Sequence, residues 1–127
     1  MIVGIGTDIA AYARIESLHE RYGERFAQRI LSEDEMPEFH QHAHPARLLM
    51  KRFAAKEALA KALGTGLRHP VSMTQMTITH DDLGKPAFLF SPQLLDYIKN
   101  IGVLKHHLSI SDERDMAVAF VVLEGGN

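Results

Sequence analysis

The segment from Ala46 to Leu63 constrains the fold of this chain more than any other part of its sequence. It reads ARLLMKRFAAKEALAKAL, without proline or glycine, and is rich in residues of high helix propensity. Gly64 follows at the position where helices commonly end in a left-handed residue. We therefore predict one long helix over Ala46–Leu63, against which the rest of a small domain must pack.

The side chains of this helix divide into two faces of different chemistry. Glu57 and Lys61 lie one turn apart on a face that also carries alanines, which allow another backbone or a ligand to come close. That spacing alone is more often that of an exposed ion pair. Arg52 and Lys56 fall inside the apolar arc, where a cation must reach out to solvent or meet an anion. This placement predicts that a subunit interface or an anionic ligand neutralises them.

The other elements predict an α+β fold with a largely antiparallel sheet packed on the long helix, in a single domain over residues 1–127. The predicted strands are Ile2–Ile9, Met73–Thr79, Ala87–Phe90, His106–Ser111 and Met116–Leu123. The other predicted helices are Ala11–Leu31, with a break near Gly23, and a helix that begins at Pro92 and ends at Gly102. Ser32–Glu35 has the form of a capping box, and Phe39–Pro45 is predicted to be loop.

Composition excludes several functional classes. The chain has no cysteine, so it forms no disulfide and has no thiolate chemistry. Its formal net charge of −2 does not suit a general nucleic-acid binder. No apolar run approaches the roughly 20 residues that span a bilayer, and the N-terminus is typical of a strand rather than a signal peptide. We expect a cytoplasmic protein with no membrane or nucleic-acid partner.

The first strand ends in a candidate metal ligand. Gly4, Gly6 and Asp8 share one face of the strand, and two glycines on one face suggest that something approaches the backbone closely there. Magnesium prefers oxygen ligands, often one or two carboxylates completed by water and substrate phosphates. Asp8 and Glu57 could form such a pair if the long helix packs beside this strand. In the alternative, Asp8 only caps the following helix.

A stripe of basic residues is the second candidate site. Arg14, Leu18, Arg21 and Arg25 fall within a narrow arc if residues 11–27 form one helix. A cationic stripe around one apolar side chain suits the docking of an acidic helix. The alternative is a solvated face held by ion pairs one turn apart, although few opposite charges have the required spacing.

Five short motifs, taken together, resemble the holo-acyl-carrier-protein synthase family of 4′-phosphopantetheinyl transferases. They are GIGTDI at residues 4–9 with Arg14-Ile15 after it, RFAAKEALAKALGTGL at 52–67, DLGKP at 82–86, HLSIS at 107–111 and AVA at 117–119. The resemblance covers essentially the whole chain, and the motif at 52–67 is the most specific of the five.

This resemblance implies a homotrimer that binds coenzyme A between subunits and transfers its 4′-phosphopantetheine arm to a serine of apo-acyl-carrier protein, for fatty acid biosynthesis. It implies magnesium on Asp8 and Glu57, which with Lys61 would form the catalytic set. The positions expected to bind coenzyme A are Arg52, Lys61, Gly64, Gly66 and Ser109. The positions expected to dock the carrier protein are Arg14, Leu18, Arg21 and Arg25.

Two positions depart from the family pattern. Many members carry Glu where this chain has Ala11, and many carry His where it has Asp112, so no role is transferred to either residue. The acceptor of the serine proton is open between Glu57 and a metal-bound water, of which we favour the water. Two other functions stay open: a non-catalytic module that docks acidic carrier proteins, and a magnesium-dependent phosphohydrolase.

Overall fold

The long helix spans Pro45–Leu63 in the computed structural model, which describes residues 1–126. Its left-handed cap at Gly64, with φ of 77°, is where the sequence predicts it. The elements in chain order are β1 (Ile2–Ala11), α1 (Tyr12–Tyr22), α2 (Glu24–Ile30), a 3₁₀ turn (Glu33–Glu35), α3 (Met36–Gln41), α4 (Pro45–Leu63), a second 3₁₀ turn (Met73–Gln75), β2 (Met76–His80), β3 (Pro86–Phe90), α5 (Pro92–Asn100), β4 (Val103–Asp112) and β5 (Met116–Gly125).

The strands form two antiparallel sheets, which confirms the predicted α+β class. The larger sheet has the order β1-β5-β4, and the smaller is the β2–β3 hairpin. Alternate residues of β5 face α4 and are buried, namely Ala117, Ala119, Val121 and Leu123. Among residues 1–126, no helix is long and apolar enough to cross a bilayer.

Several boundaries differ from the sequence-based expectations. β1 continues past Asp8 and Ile9 to Ala11, so Asp8 does not end the strand. The loop predicted over Phe39–Pro45 is wrong in its first half, because α3 extends into it. Pro37 does not prevent this helix, since the first turn needs no intrahelical N–H partner. Met73–Gln75 form a 3₁₀ turn rather than the start of β2, and β4 begins at Val103, ahead of the predicted His106.

Lys56 lies on the buried side of α4 and has no exposed surface. Its ammonium donates to Ile30 O at 2.7 Å, to Met73 O at 3.0 Å and to the Glu35 carboxylate. Burial lowers the pKa of Lys56 to about 8, while the Glu35 charge pulls it upward. Three acceptors satisfy all three donors of the ammonium, which is the condition for keeping a charge in a core.

Glu35 joins this lysine to two other parts of the fold. Its carboxylate accepts the N–H groups of Ser32 at 2.9 Å and Ile78 at 3.0 Å, the first of these being the predicted capping-box contact. Arg52 Nε lies 3.3 Å from Glu35 Oε2, but the angle is too poor for a hydrogen bond, so this contact is electrostatic. The 3₁₀ turn, β2 and α4 therefore meet at one carboxylate.

These contacts correct the interpretation of the two cations in the apolar arc. The expectation that a subunit interface or an anionic ligand neutralises them is wrong, because Glu35 of the same chain does so. Arg52 is 3% exposed and also donates to Glu38 Oε1 at 3.2 Å. The contact between Arg52 and coenzyme A was predicted because Arg52 lacked a partner in the apolar arc, and that reason no longer holds. The Arg52 guanidinium also offers almost no surface to a ligand.

We predict that Glu35→Gln destabilises the fold by about 3–5 kcal/mol, because it leaves the Lys56 charge buried without a compensating anion. Glu38→Gln is the matched control. Its side chain is 57% exposed, so losing its pair with Arg52 should cost less than about 1 kcal/mol. Urea unfolding followed by circular dichroism measures both variants. Equal losses in the two would contradict the assignment of Glu35 as the central anion.

Candidate active site

The glycine face of β1 lies directly against α4. A Cβ atom built on Gly6 would lie 2.0 Å from Ala58 O, and one built on Gly4 would lie 2.0 Å from Ala62 O. No side chain fits at either position, so the strand and the helix touch through their backbones. This confirms the predicted close approach and identifies α4 as the approaching element.

The contact brings Asp8 to the face of α4 that carries Glu57 and Lys61. Lys61 Nζ donates to Asp8 Oδ1 and to Thr7 O, each at 3.0 Å. Asp8 pairs in register with the buried Ala119, so its side chain lies on the inner face of the sheet. The alternative that Asp8 caps α1 is wrong, because the N-cap of α1 is Ala11 and no side chain caps it. The structure joins Asp8 to the helix face predicted from the spacing.

The pKa of Glu57 is affected by the charges of Asp8 and Lys61, so Glu57 belongs to the same cluster as these two residues. Burial raises the pKa of Glu57, the negative charge of Asp8 raises it further, and the positive charges of Lys61 and Arg14 act in the opposite direction. A carboxyl that is partly desolvated and close to another carboxylate is unfavourable for the fold unless a cation compensates it. Such a pair is a functional candidate with a physical rationale.

The residues present fit a magnesium ion that shares its coordination with a phosphate ligand. Asp8 Oδ2 is buried and has no hydrogen-bond partner, so it is available as a ligand. Glu57 supplies a second carboxylate. Within residues 1–126, no three or more His, Cys, Asp or Glu side chains lie together in a group that could hold a metal. Two carboxylates match the protein share of a magnesium site completed by water and phosphate.

The residues predicted to bind coenzyme A do not all lie beside this cluster. Gly64 and Gly66, with φ of 77° and 65°, form the turn just after Lys61, and Gly64 lines a cavity of about 420 Å³. Ser109 pairs with Phe120 on the outer face of the larger sheet, opposite the face that carries Asp8. Within one chain, the side chains of Ser109 and Asp8 therefore lie on opposite faces of the sheet.

The basic stripe is interrupted where the sequence suggested a break. Gly23 has φ of 60° and separates α1 from α2, so residues 11–27 are not one helix. The two helices still share a groove of about 590 Å³, lined in part by Leu18 and Arg25. Arg14 lies over the ring of Phe53 at 5.9 Å and Arg21 over that of Tyr22 at 5.3 Å.

Sequence reasoning missed this groove, which joins side chains from distant segments. Its aromatic and apolar lining includes Tyr22, Phe26, Phe53, Leu67 and Met73. No carboxylate within residues 1–126 lies within 4.0 Å of any arginine of the stripe, so the alternative of a face held by ion pairs is wrong. An apolar groove edged by unpaired arginines is suited to an acidic amphipathic helix.

Comparison with known proteins relates this chain to one family. Residues 4–121 match the profile of the 4′-phosphopantetheinyl transferase superfamily. The holo-[acyl-carrier-protein] synthase of Nitrosospira multiformis is 58% identical over 124 residues, which cover 98% of this chain and 99% of the relative.

Two solved structures have the same fold. The crystal structure of holo-[acyl-carrier-protein] synthase from Neisseria meningitidis superposes with a TM-score of 0.94 at 50% identity, covering 98% of this chain and 99% of that chain. A holo-(acyl-carrier-protein) synthase from Bacillus anthracis in complex with CoA (3′,5′-ADP) gives a TM-score of 0.82 at 38% identity, covering 99% of each chain.

We predict that Gly6→Ala destabilises the fold by about 3 kcal/mol, because the added methyl group meets a backbone oxygen that cannot move away. The strain should also separate Asp8 from α4. Gly126→Ala is the control, since its Cβ would lie 3.4 Å from the end of the Leu104 side chain. Guanidinium unfolding measures both changes. A Gly6→Ala protein as stable as the control would contradict the backbone contact.

Proposed function

Because the chain belongs to the 4′-phosphopantetheinyl transferase superfamily, we propose that it transfers the 4′-phosphopantetheine arm of coenzyme A to a serine of apo-acyl-carrier protein in fatty acid biosynthesis, in the cytoplasm. The observation that carries this proposal is the cluster of Asp8, Glu57 and Lys61 at the backbone contact between β1 and α4. A neighbour at 38% identity that was solved with CoA supports the choice of donor.

The reaction is a phosphoryl transfer. The serine oxygen forms a bond to the phosphorus that bears the pantetheine arm, and the bond from that phosphorus to the bridging oxygen breaks. The leaving group is adenosine 3′,5′-bisphosphate. The serine proton passes to a water beside the site or to Glu57, and we favour the water because a carboxylate that also holds a cation is a weakened base.

The side chains of the cluster supply positioning and charge. Asp8 and Glu57 would hold a magnesium ion, which when bound would supply positive charge to the diphosphate. Lys61, one turn beyond Glu57, supplies a second cation to the same phosphates. Gly64 and Gly66 leave space for the nucleotide to approach the end of α4 without meeting a side chain.

We assign the outer face of the larger sheet to contacts between copies of this chain, as a homotrimer. Large apolar side chains are exposed there, including Ile5 at 61%, Ile9 at 65% and Phe120 at 43%. Ser109 lies on that face, so a second copy can present it to coenzyme A bound at the Asp8 cluster of the first. The number three rests on the family resemblance.

The groove between α1 and α2 is the proposed docking site for the carrier protein. Arg14, Arg21 and Arg25 would contact acidic side chains of the carrier helix, while its apolar side chains contact Leu18 and the aromatic lining. Arg14 is close enough to Glu57 to lower its pKa, so a carrier docked on Arg14 would lie near the proposed metal site.

Transfer is tested with the protein, apo-acyl-carrier protein, coenzyme A and magnesium. Mass spectrometry should show one phosphopantetheine added to the carrier serine. Carrier binding without added mass would instead support a non-catalytic docking module. Phosphate released from coenzyme A without any carrier present would support a phosphohydrolase.

We expect Glu57→Gln to lower the transfer rate by about a hundredfold or more, since a ligand to the charge-neutralising cation is lost. The same change removes the repulsion between Glu57 and Asp8, so the metal-free protein should unfold at an equal or higher temperature. Glu113→Gln, in the exposed turn between β4 and β5, is the control and should match the unsubstituted protein. A Glu57→Gln rate within a few-fold of normal would refute the metal assignment.

Arg21→Glu should raise the KM for the carrier by about tenfold at low salt and leave the KM for coenzyme A unchanged, because the repulsion acts on docking alone. The difference should shrink as ionic strength rises. Lys99→Glu, with the same charge reversal on the exposed side of α5, should leave both constants unchanged. Equal effects of the two substitutions would show that net charge, rather than this groove, attracts the carrier.

Phe120→Glu should convert the trimer to monomers, because it places a charge in an apolar interface. Native mass spectrometry counts the subunits directly. Leu83→Glu is the matched control, since Leu83 is 96% exposed at the tip of the β2–β3 hairpin, away from the assigned face. A protein that is monomeric before any substitution would contradict the assembly.

A further inference from the structure

Lys61 is hydrogen-bonded to Asp8, which the proposed function makes a magnesium ligand. Its ammonium donates to Asp8 Oδ1 and to Thr7 O, both at 3.0 Å. The Lys61 side chain is 53% exposed, whereas that of Asp8 is 13% exposed. The lysine can therefore leave toward solvent, while Asp8 is held in the gap between β1 and α4.

The cluster is electrically balanced as it stands. Asp8 and Glu57 carry two negative charges, and Lys61 and Arg14, the two cations that act on the pKa of Glu57, carry two positive charges. A divalent cation is drawn to a site by its net negative charge, and here the formal charges cancel. In addition, one of the two Asp8 oxygens already accepts a bond from an ammonium.

We propose that Lys61 acts as an internal counter-cation for Asp8 in the free protein, and that it gives up Asp8 to a divalent cation only when the diphosphate of coenzyme A arrives with that cation. The proposal rests on the proposed function for the metal site, and adds to it an order of events. The diphosphate supplies the negative charge that the balanced cluster lacks. It also supplies new acceptors for the three N–H donors of the released ammonium.

A thermodynamic consequence follows from this exchange. If coenzyme A raises the affinity of the site for the cation, then the cation must raise the affinity for coenzyme A by the same factor. Lys61 contributes to that coupling twice, by weakening cation binding in the free protein and by binding phosphate in the complex. Its first contribution can be measured without any turnover.

The experiment measures Mn²⁺ binding by electron paramagnetic resonance, which detects the free ion, with and without coenzyme A. The variants are Lys61→Met, which keeps the length of the side chain and removes its charge, and Lys61→Arg, which keeps the charge. Without coenzyme A, we expect Lys61→Met to bind Mn²⁺ at least about tenfold more tightly than the unsubstituted protein. Lys61→Arg should bind it as weakly as the unsubstituted protein.

Asp8→Asn distinguishes failure of this inference from failure of the proposed metal site. If Asp8→Asn abolishes the coenzyme A-dependent binding of Mn²⁺ while Lys61→Met leaves the affinity of the free protein unchanged, the metal site stands and the counter-cation role is refuted. If Asp8→Asn binds Mn²⁺ normally under both conditions, the metal site itself is refuted. Equal Mn²⁺ affinity of the unsubstituted protein with and without coenzyme A also overturns the proposed order.

Discussion

The backbone contact between β1 and α4 is the constraint on which the site depends. Gly4 and Gly6 leave no side chain between the strand and the carbonyl oxygens of the helix, so the two elements lie as close as main-chain atoms allow. Asp8 follows two residues later on the same face and is thereby carried to Glu57 and Lys61. A larger side chain at either glycine would separate the carboxylates that the proposed chemistry needs together.

A second interaction holds α4 from its other side. Glu35 connects Lys56 of the helix to the 3₁₀ turn and to β2, so the helix is held between a backbone contact and a buried ion pair. A buried ion pair adds little net stability, because desolvation offsets the attraction between the charges. It does restrict the helix to one position and rotation, and the position of Glu57 and Lys61 relative to Asp8 depends on both.

The proposed site is incomplete within one chain, in charge and in residues. The formal charges of its two carboxylates and two cations cancel, so the proposed divalent cation would depend on the phosphates of a ligand for its binding. Ser109 lies across the sheet from Asp8, on a face where apolar side chains are exposed. In the proposed assembly, a second chain supplies Ser109. In the proposed counter-cation role, Lys61 occupies Asp8 until the metal arrives with the diphosphate.

Local sequence determined most of the elements, because helix propensity, glycine caps and strand alternation act over a few residues. The long helix with its cap at Gly64, the glycine face of β1 and the break at Gly23 were all predictable in this way. Only the tertiary structure decided which charges meet. Sequence spacing placed Arg52 and Lys56 in an apolar arc but could not show that Glu35 lies opposite them. Nor could it show that Lys61 reaches Asp8, since pairing of charges distant in the chain depends on how the elements pack.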